Sequence, residues 1–347
     1  MCLNARLMDT NATFQTNLRV GVVGLGNMGK HHARIYAQLE NVTLAAICDH
    51  HTETLDQFST QYACKGYTTL KEMLANENLD AISIAVPTAQ HYDIAKTVIQ
   101  QGIHVLIEKP ITHSIETANE IVQLAKKHKV TLMIGHIERF NPAITKLKSL
   151  IDDGTFGKIT SLVAKRVGVF PTRIKDANVI IDLAVHDIDI FSYLLGKEPD
   201  QVHGSGGKAF LDTREDHAEM LLSYGSQNCF IQVNWITPIR IRNLAITGTK
   251  GYAELNYISQ ELVFYESVYE STYEGFGDYA IKFGTPKTQQ IEVEKSEPLV
   301  GELRHFVNAI KTKEKPLVCG ETGTNALIVA EKVLSDIAIS RKLAQTA

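Results

Sequence analysis

Five short runs of almost unbroken apolar, β-branched character, LRVGVV (18–23), VTLAAIC (42–48), DAISIAV (80–86), IHVLIE (103–108) and VTLMIG (130–135), are separated by segments with helical spacing. A strand with one wet face alternates apolar and polar residues, whereas a strand covered on both faces does not. The runs therefore predict a parallel sheet sandwiched by helices at about 27–40, 52–62, 69–76, 89–101 and 114–127. Gln101-Gly102 ends one of them, because glycine readily takes the left-handed conformation after a helix. The expected organisation is a polar leader (1–17) followed by a doubly wound α/β domain over 18–138.

The rhythm changes after Asn141-Pro142. A helix at about 142–152 ends at Asp153-Gly154, a strand follows at 158–166, then a very apolar helix at about 178–195 and strand-like segments from about 202 to 294. Residues 139–347 are expected to form an α+β domain with a large open mixed or antiparallel sheet. HFVNAI (305–310) and NALIVAEKVLSDIAIS (325–340) return to helical spacing and are expected to pack back toward the first domain. Tyr257, Phe264, Tyr265, Tyr269, Tyr273, Phe276, Tyr279 and Phe283 crowd one stretch. They read as side chains on half-buried strands and their loop, or as a ligand or subunit contact.

A length of 347 residues fits two domains at ~100–200 residues each. The formal charge of -4 argues against a nucleic-acid partner, while leaving room for a local cationic pocket. No apolar stretch reaches the ~18 residues of a membrane span, and the polar N-terminus does not resemble a secretion signal. Cys2, Cys48, Cys64, Cys229 and Cys319 are scattered, with no C-x-x-C pair, so a reducing cytoplasm is expected and a zinc ribbon is not.

The first strand runs straight into Gly24-Leu25-Gly26-Asn27-Met28-Gly29 and a helix, with Asp49 closing the next strand 20 residues beyond Gly29. G-x-G-x-x-G is weak alone, but strand, glycines, helix and a following acid together predict a dinucleotide site. Gly24 permits the turn, Gly26 lets the backbone approach a pyrophosphate, Gly29 permits close helix–strand packing, and the helix N-terminus favours the anion. Asp49 suits two ribose hydroxyls better than a 2′-phosphate, so NAD is expected over NADP, although His50 and His51 could accommodate a phosphate. At the carboxyl edge of the third run, Val86-Pro87-Thr88 offers Thr88 as a helix cap, and His91 reads as a cofactor contact or a plain helix-start histidine.

Glu108-Lys109-Pro110 closes the fourth run at the same edge. Lys109 could stabilise negative charge on a substrate oxygen, or be solvated; Glu108 could pair with it or with the nicotinamide end. Asp182, His186 and Asp189 stand at i, i+4 and i+7 in an otherwise apolar helix and so form one polar stripe. Facing a cleft, His186 suits a general base, and Asp182 could bind substrate or hold Lys109 and His186 in their working protonation states. A metal site is not expected, since no second histidine stands at ligand spacing. Arg139, Lys165, Arg166, Arg173 and Lys175 could bind phosphate oxygens or be ordinary surface charges.

Taken together, GLGNMG (24–29), AVPT…H (85–91), GIHVLIEKPI (102–111), Asp182 with His186, and EPLVGELRHF (297–306) resemble the Gfo/Idh/MocA oxidoreductase family over essentially the whole chain. The resemblance implies an NAD(P)-binding Rossmann domain followed by an α/β domain whose open sheet makes homodimer or homotetramer contacts. It implies Lys109, Asp182 and His186 as the catalytic trio, with cofactor contacts from Gly24, Gly26, Asn27, Met28, Gly29, Asp49, Pro87, Thr88, His91 and Glu108. Ile180-Ile181 stand where many members have glycines. GHIERFNP (135–142) and VIIDLAVHDIDI (179–190) are similar to the branch acting on UDP-N-acetylglucosamine and related nucleotide sugars, particularly at the 3-hydroxyl. That likeness and the cationic cluster make Arg139, Asn141, Arg166 and Arg173 the expected substrate contacts. The alternatives are an inositol or free-sugar dehydrogenase of the same family and a non-catalytic NAD-sensing regulator.

Overall fold

The computed structural model describes residues 17–171, 177–273 and 279–346. The leader over 1–16, Arg173, Lys175 and Phe276 lie outside the described residues, as do the side chains of Tyr273, Tyr279 and Phe283. The first sheet contains β1 (Leu18–Val23), β2 (Val42–Cys48), β3 (Lys65–Tyr67), β4 (Ala81–Ile84), β5 (His104–Glu108) and β6 (Leu132–Gly135). Its order is β3-β2-β1-β4-β5-β6, parallel throughout. Helices α1 (Gly29–Tyr36), α2 (Thr52–Tyr62), α3 (Leu70–Asn76), α4 (His91–Gln100) and α5 (Ile115–His128) alternate with the strands.

Both faces of this sheet are dry. On β5, Val105 and Ile107 enter one apolar cluster while Leu106 enters the other, which is why the strand carries no polar alternation. The edge strand β3 has no counterpart in the sequence reading: KGY is three residues long and only half-buried at best, too short to carry a periodic signal. The order reverses between β1 and β4, and the adjoining strand ends form the crevice in which such sheets bind ligands.

The second half comprises α6 (Pro142–Asp152), β7 (Ile159–Val169), a π-helical turn (Ile180–Ala184) leading into α7 (Val185–Leu195), β8 (Gln201–Gly207), β9 (His217–Tyr224), β10 (Gln227–Asn234), β11 (Ile236–Gly248), β12 (Gly251–Asn256) and β13 (Glu261–Glu266). After it come β14 (Tyr269–Tyr273), β15 (Tyr279–Phe283), β16 (Lys287–Ile291), α8 (Pro298–Thr312) and α9 (Gly320–Thr346). The main sheet is ordered β16-β13-β12-β11-β7-β10-β9-β8, and β14 and β15 form a separate ribbon. Strands β7 and β10 are parallel and the other neighbours antiparallel, so this sheet is mixed. Here the period-2 pattern is plain: Leu162 and Ala164 are buried under the helices while Val163 and Lys165 point outward.

The segment expected as one helix over 178–195 opens instead as a π turn, with Asn178 Oδ1 accepting the N–H groups of Ile180 and Ile181 at 3.1 and 3.0 Å. An extra residue in the turn shifts every later side chain around the axis. Helix α8 runs back onto the first sheet, where Leu303, Phe306 and Val307 share an apolar cluster with Val20, Val22 and Tyr36. Along α9, Leu327 packs with the first sheet's core and Val333 and Ile337 with the second's. Among the described residues, no helix is long and apolar enough to cross a membrane.

Candidate active site

The glycine turn opens on a cavity of ≈ 580 Å³ lined by Gly24, Gly26, Asn27, Met28, Asp49 and Pro87 at one end and by Glu108 and Lys109 at the other. Gly24 has φ +87°, and an added Cβ would lie 2.6 Å from the Ala85 carbonyl oxygen. A Cβ on Gly29 would fall 1.8 Å from the Gly24 oxygen, so α1 can start this close to β1 only with glycine there. Gly26 differs: a Cβ would meet nothing within 4 Å, because that face is the cavity itself. The turn thus leaves a backbone cradle at the start of α1, the arrangement a dinucleotide pyrophosphate needs.

Asp49 follows β2 beside this cradle. Its Oδ2 accepts the Leu25 N–H at 2.7 Å and its Oδ1 the His51 N–H at 2.9 Å. Burial pushes the carboxyl up, but those two N–H groups and the neighbouring His50 outweigh it and hold Asp49 below the usual carboxylate range. A fixed anion here suits ribose hydroxyls. The exposed rings of His50 and His51 flank Oδ1, with nitrogens at 3.5 and 3.4 Å.

Two cofactor expectations need correction. Thr88 lies in a 3-10 turn (Thr88–Gln90) and caps no helix with its side chain, while His91 is buried with its ring nitrogens 2.9 Å from the carbonyls of Val86 and Pro110. His91 therefore ties the β4 and β5 loops together, and Gln90 and Ile94 line the cavity in place of Thr88 and His91. Glu108 is held at Oε1 by His32 Nε2 at 3.0 Å and at Oε2 by the Lys109 N–H at 3.2 Å. Behind it Glu302 of α8 is fully buried, and among the described residues neither of its oxygens has a hydrogen-bond partner. Burial and then the Glu108 charge push the Glu302 carboxyl well above its ordinary range. Single ligand atoms of His32, Glu108 and Glu302 lie within 4.8 Å of one another. A proton held on Glu302 accounts for two carboxyl groups sharing so dry a space.

Lys109 and Asp182, 73 residues apart, meet at the cavity's far end. Lys109 Nζ donates to the Asp182 carbonyl at 2.8 Å and lies 3.3 Å from its Oδ1. His186 is half-buried, and its buried Nδ1 has no hydrogen-bond partner among the described residues. Burial first, then the charges of Lys109 and Arg166, pull its pKa well below 6.5, so the imidazole is neutral and able to accept a proton at neutral pH. The expected stripe does not survive the π turn: Asp182 faces Lys109, whereas Asp189 turns away to Arg139.

Three expected substrate contacts are occupied within the protein. Arg139 donates Nε and Nη2 to Asp189 at 2.8 and 2.7 Å and Nη1 to the Leu317 carbonyl. Asn141 caps α6 through the Ala143 N–H and donates to Glu138 and the Tyr257 carbonyl. Arg166 gives Nε and Nη2 to Asp187 at 2.7 and 3.0 Å and Nη1 to Glu138 at 2.8 Å, while Tyr257 stacks on it and donates to Asp187. Arg139 and Arg166 brace the helix that bears His186, Asn141 ties the start of α6 to Glu138 and Tyr257, and all these hydrogen bonds stay within the protein. Lys165 points to the opposite face of the sheet. Sequence reasoning missed His32, Glu138, Asp187, Arg242 and Glu302. Asp187 had a signal, standing beside His186, but Arg242 and Glu302 come into place only through strand pairing and the return of α8.

Residues 18–136 match the family profile described as an oxidoreductase family with an NAD-binding Rossmann fold, and residues 144–254 match the GFO/IDH/MocA C-terminal domain. The chain is 29% identical over 320 residues to UDP-N-acetylglucosamine 3-dehydrogenase from Acidithiobacillus ferrooxidans, covering 91% of this chain and 96% of that one. The solved structure of that protein superposes with a TM-score of 0.81, covering 92% of this chain and 97% of the other. Myo-inositol 2-dehydrogenase from Thermotoga maritima is 26% identical over 331 residues, covering 90% and 94% of the two chains. A levoglucosan dehydrogenase in complex with NADH and levoglucosan shares the fold with a TM-score of 0.80 at 18% identity, covering 93% and 97%.

Proposed function

Because the chain belongs to the Gfo/Idh/MocA oxidoreductase family, we propose that it oxidises a sugar ring hydroxyl to a ketone with NAD, and that the substrate is UDP-N-acetylglucosamine at its 3-hydroxyl. The observation that carries the reading is the contact of Lys109, at the end of the glycine-turn cavity, with Asp182, one turn before a His186 that burial and the Lys109 charge hold neutral. A bound nicotinamide supplies the acceptor for the hydride that leaves the carbinol carbon. His186 takes the hydroxyl proton, and the Lys109 ammonium stabilises the oxygen as negative charge develops on it. Asp182 fixes that ammonium. The backbone of the Gly24–Met28 turn, with α1 held close by Gly29, would cradle the pyrophosphate and Asp49 would receive the ribose hydroxyls, which favours NAD over NADP.

The UDP-N-acetylglucosamine assignment draws support from the Acidithiobacillus relative, and the Thermotoga relative supports a neutral cyclitol as the competing substrate. A panel of nucleotide sugars, free sugars and inositols, read by absorbance of reduced nicotinamide, separates them. UDP-N-acetylglucosamine is expected to give the highest kcat/KM, and a cyclitol preferred over every nucleotide sugar overturns the substrate assignment. We also propose that a second copy of the chain covers the outer face of the larger sheet. Val163, Phe230 and Leu221 lie side by side in register across β7, β10 and β9 and are 46%, 39% and 40% exposed.

A further inference from the structure

We propose that Arg242 anchors a phosphate group of the substrate, so that the site selects a phosphorylated sugar over a neutral one; this rests on the dehydrogenase reading and narrows it. Strands β7 and β11 are antiparallel, and Arg242 stands directly opposite Arg166. Cross-strand partners project from the same face of a sheet. Arg166 reaches Asp187 beside His186, so this is the face that the catalytic helix covers.

Two like charges in direct opposition are unfavourable unless each is compensated. Arg166 is compensated twice, by Asp187 and Glu138. Among the described residues Arg242 makes no ion pair: its Nη1 donates to two neutral carbonyls, Val167 at 2.6 Å and Ile241 at 2.8 Å. Burial, then the neighbouring Arg166 and Arg240, pull its pKa down to about 10, against the distant pull of Asp187 and Asp182. A half-buried guanidinium among other arginines, held only by carbonyls, leaves a cationic site that an anion completes. Phosphate matches the planar donor fork bidentately.

Its placement also fits. Strand β11 leaves the ladder between Ile236 and Ile241 and rejoins it just before Arg242. Such bulges re-aim side chains beside active sites. Opposite the bulge is Gly168, where an added Cβ would lie 3.8 Å from the Arg242 guanidinium, in ordinary contact. The Arg242 charge reaches both His186 and Asp182, so a sugar ring presented to His186 can extend its phosphate toward this residue.

The test compares wild type with Arg242→Gln and Arg242→Lys. Calorimetry measures UDP and NAD binding, and steady-state kinetics uses UDP-N-acetylglucosamine and free N-acetylglucosamine. For Arg242→Gln, KM for the nucleotide sugar and the Kd for UDP are expected to rise at least roughly tenfold, with the smaller effect on kcat and with NAD affinity retained as the control for folding. Arg242→Lys should recover part of the loss, and the salt dependence of wild-type KM should flatten in Arg242→Gln. Wild-type turnover of the nucleotide sugar combined with unchanged KM and UDP affinity in Arg242→Gln overturns the anchor while leaving the dehydrogenase reading intact. A wild-type enzyme that oxidises only neutral polyols and fails to bind UDP overturns the anchor and the UDP-N-acetylglucosamine assignment together.

Discussion

At the scale of single residues, two titratable groups, one half-buried and one fully buried, define opposite behaviours. His186 is held neutral by burial and by Lys109 and Arg166. Its protonation therefore does not limit turnover near neutrality, and the acid limb it imposes on kcat/KM is expected below pH 6.5. A limb centred above that value, lost in His186→Gln, would contradict this. Glu302 is raised by burial and by Glu108. An acid raised in the folded chain keeps a proton that the unfolded chain has released, so stability falls as pH climbs above the ordinary carboxylate range. A tenfold difference in proton affinity between the folded and unfolded chain corresponds to about 1.4 kcal/mol. Glu302→Gln is expected to raise the melting temperature, by more at pH 8 than at pH 5; denaturation midpoints measured at both pH values that drop on substitution refute a protonated Glu302.

At the scale of elements, the site depends on close approaches that allow little substitution. Gly29→Ala puts a methyl 1.8 Å from the Gly24 oxygen, so α1 must retreat from β1. We expect a loss of roughly 1–3 kcal/mol in denaturant titration together with weakened NAD binding. Unchanged midpoint and affinity would show that the turn has slack. The π turn before α7 marks where sequence reasoning reached its end. Spacing placed Asp182, His186 and Asp189 on one face because it assumed 3.6 residues per turn throughout, and the wider turn at Ile180–Ala184 parts the two aspartates. For Arg139 and Arg166 in the cationic cluster the reason is related. Arg139 and Arg166 are legible as charges, but their partners, Asp189 and Asp187, are assigned only once that helix is wound.

At the scale of the whole molecule, the parallel sheet was legible because burial on both faces removes polar residues from whole runs, and the glycine turn because steric exclusion at Gly24 and Gly29 admits no other residue. The edge strand β3 was not, having three residues and little buried surface. The larger sheet was visible as strands without an order, since β7 pairs with β10 and β11 across long intervals of sequence. Its outer apolar row leads to a prediction about assembly. Phe230→Glu is expected to shift the protein toward the mass of one chain in light scattering, with its circular dichroism preserved. A wild-type chain already monomeric at the same concentration excludes that interface.

Lys109 belongs, on this reading, to the chemical step rather than to cofactor capture. Measured side by side on Lys109→Ala, turnover of UDP-N-acetylglucosamine should fall by roughly 10²–10⁴-fold while the Kd for NAD stays within about threefold of wild type. Turnover that persists, or NAD affinity that falls by the same factor as turnover, would contradict it.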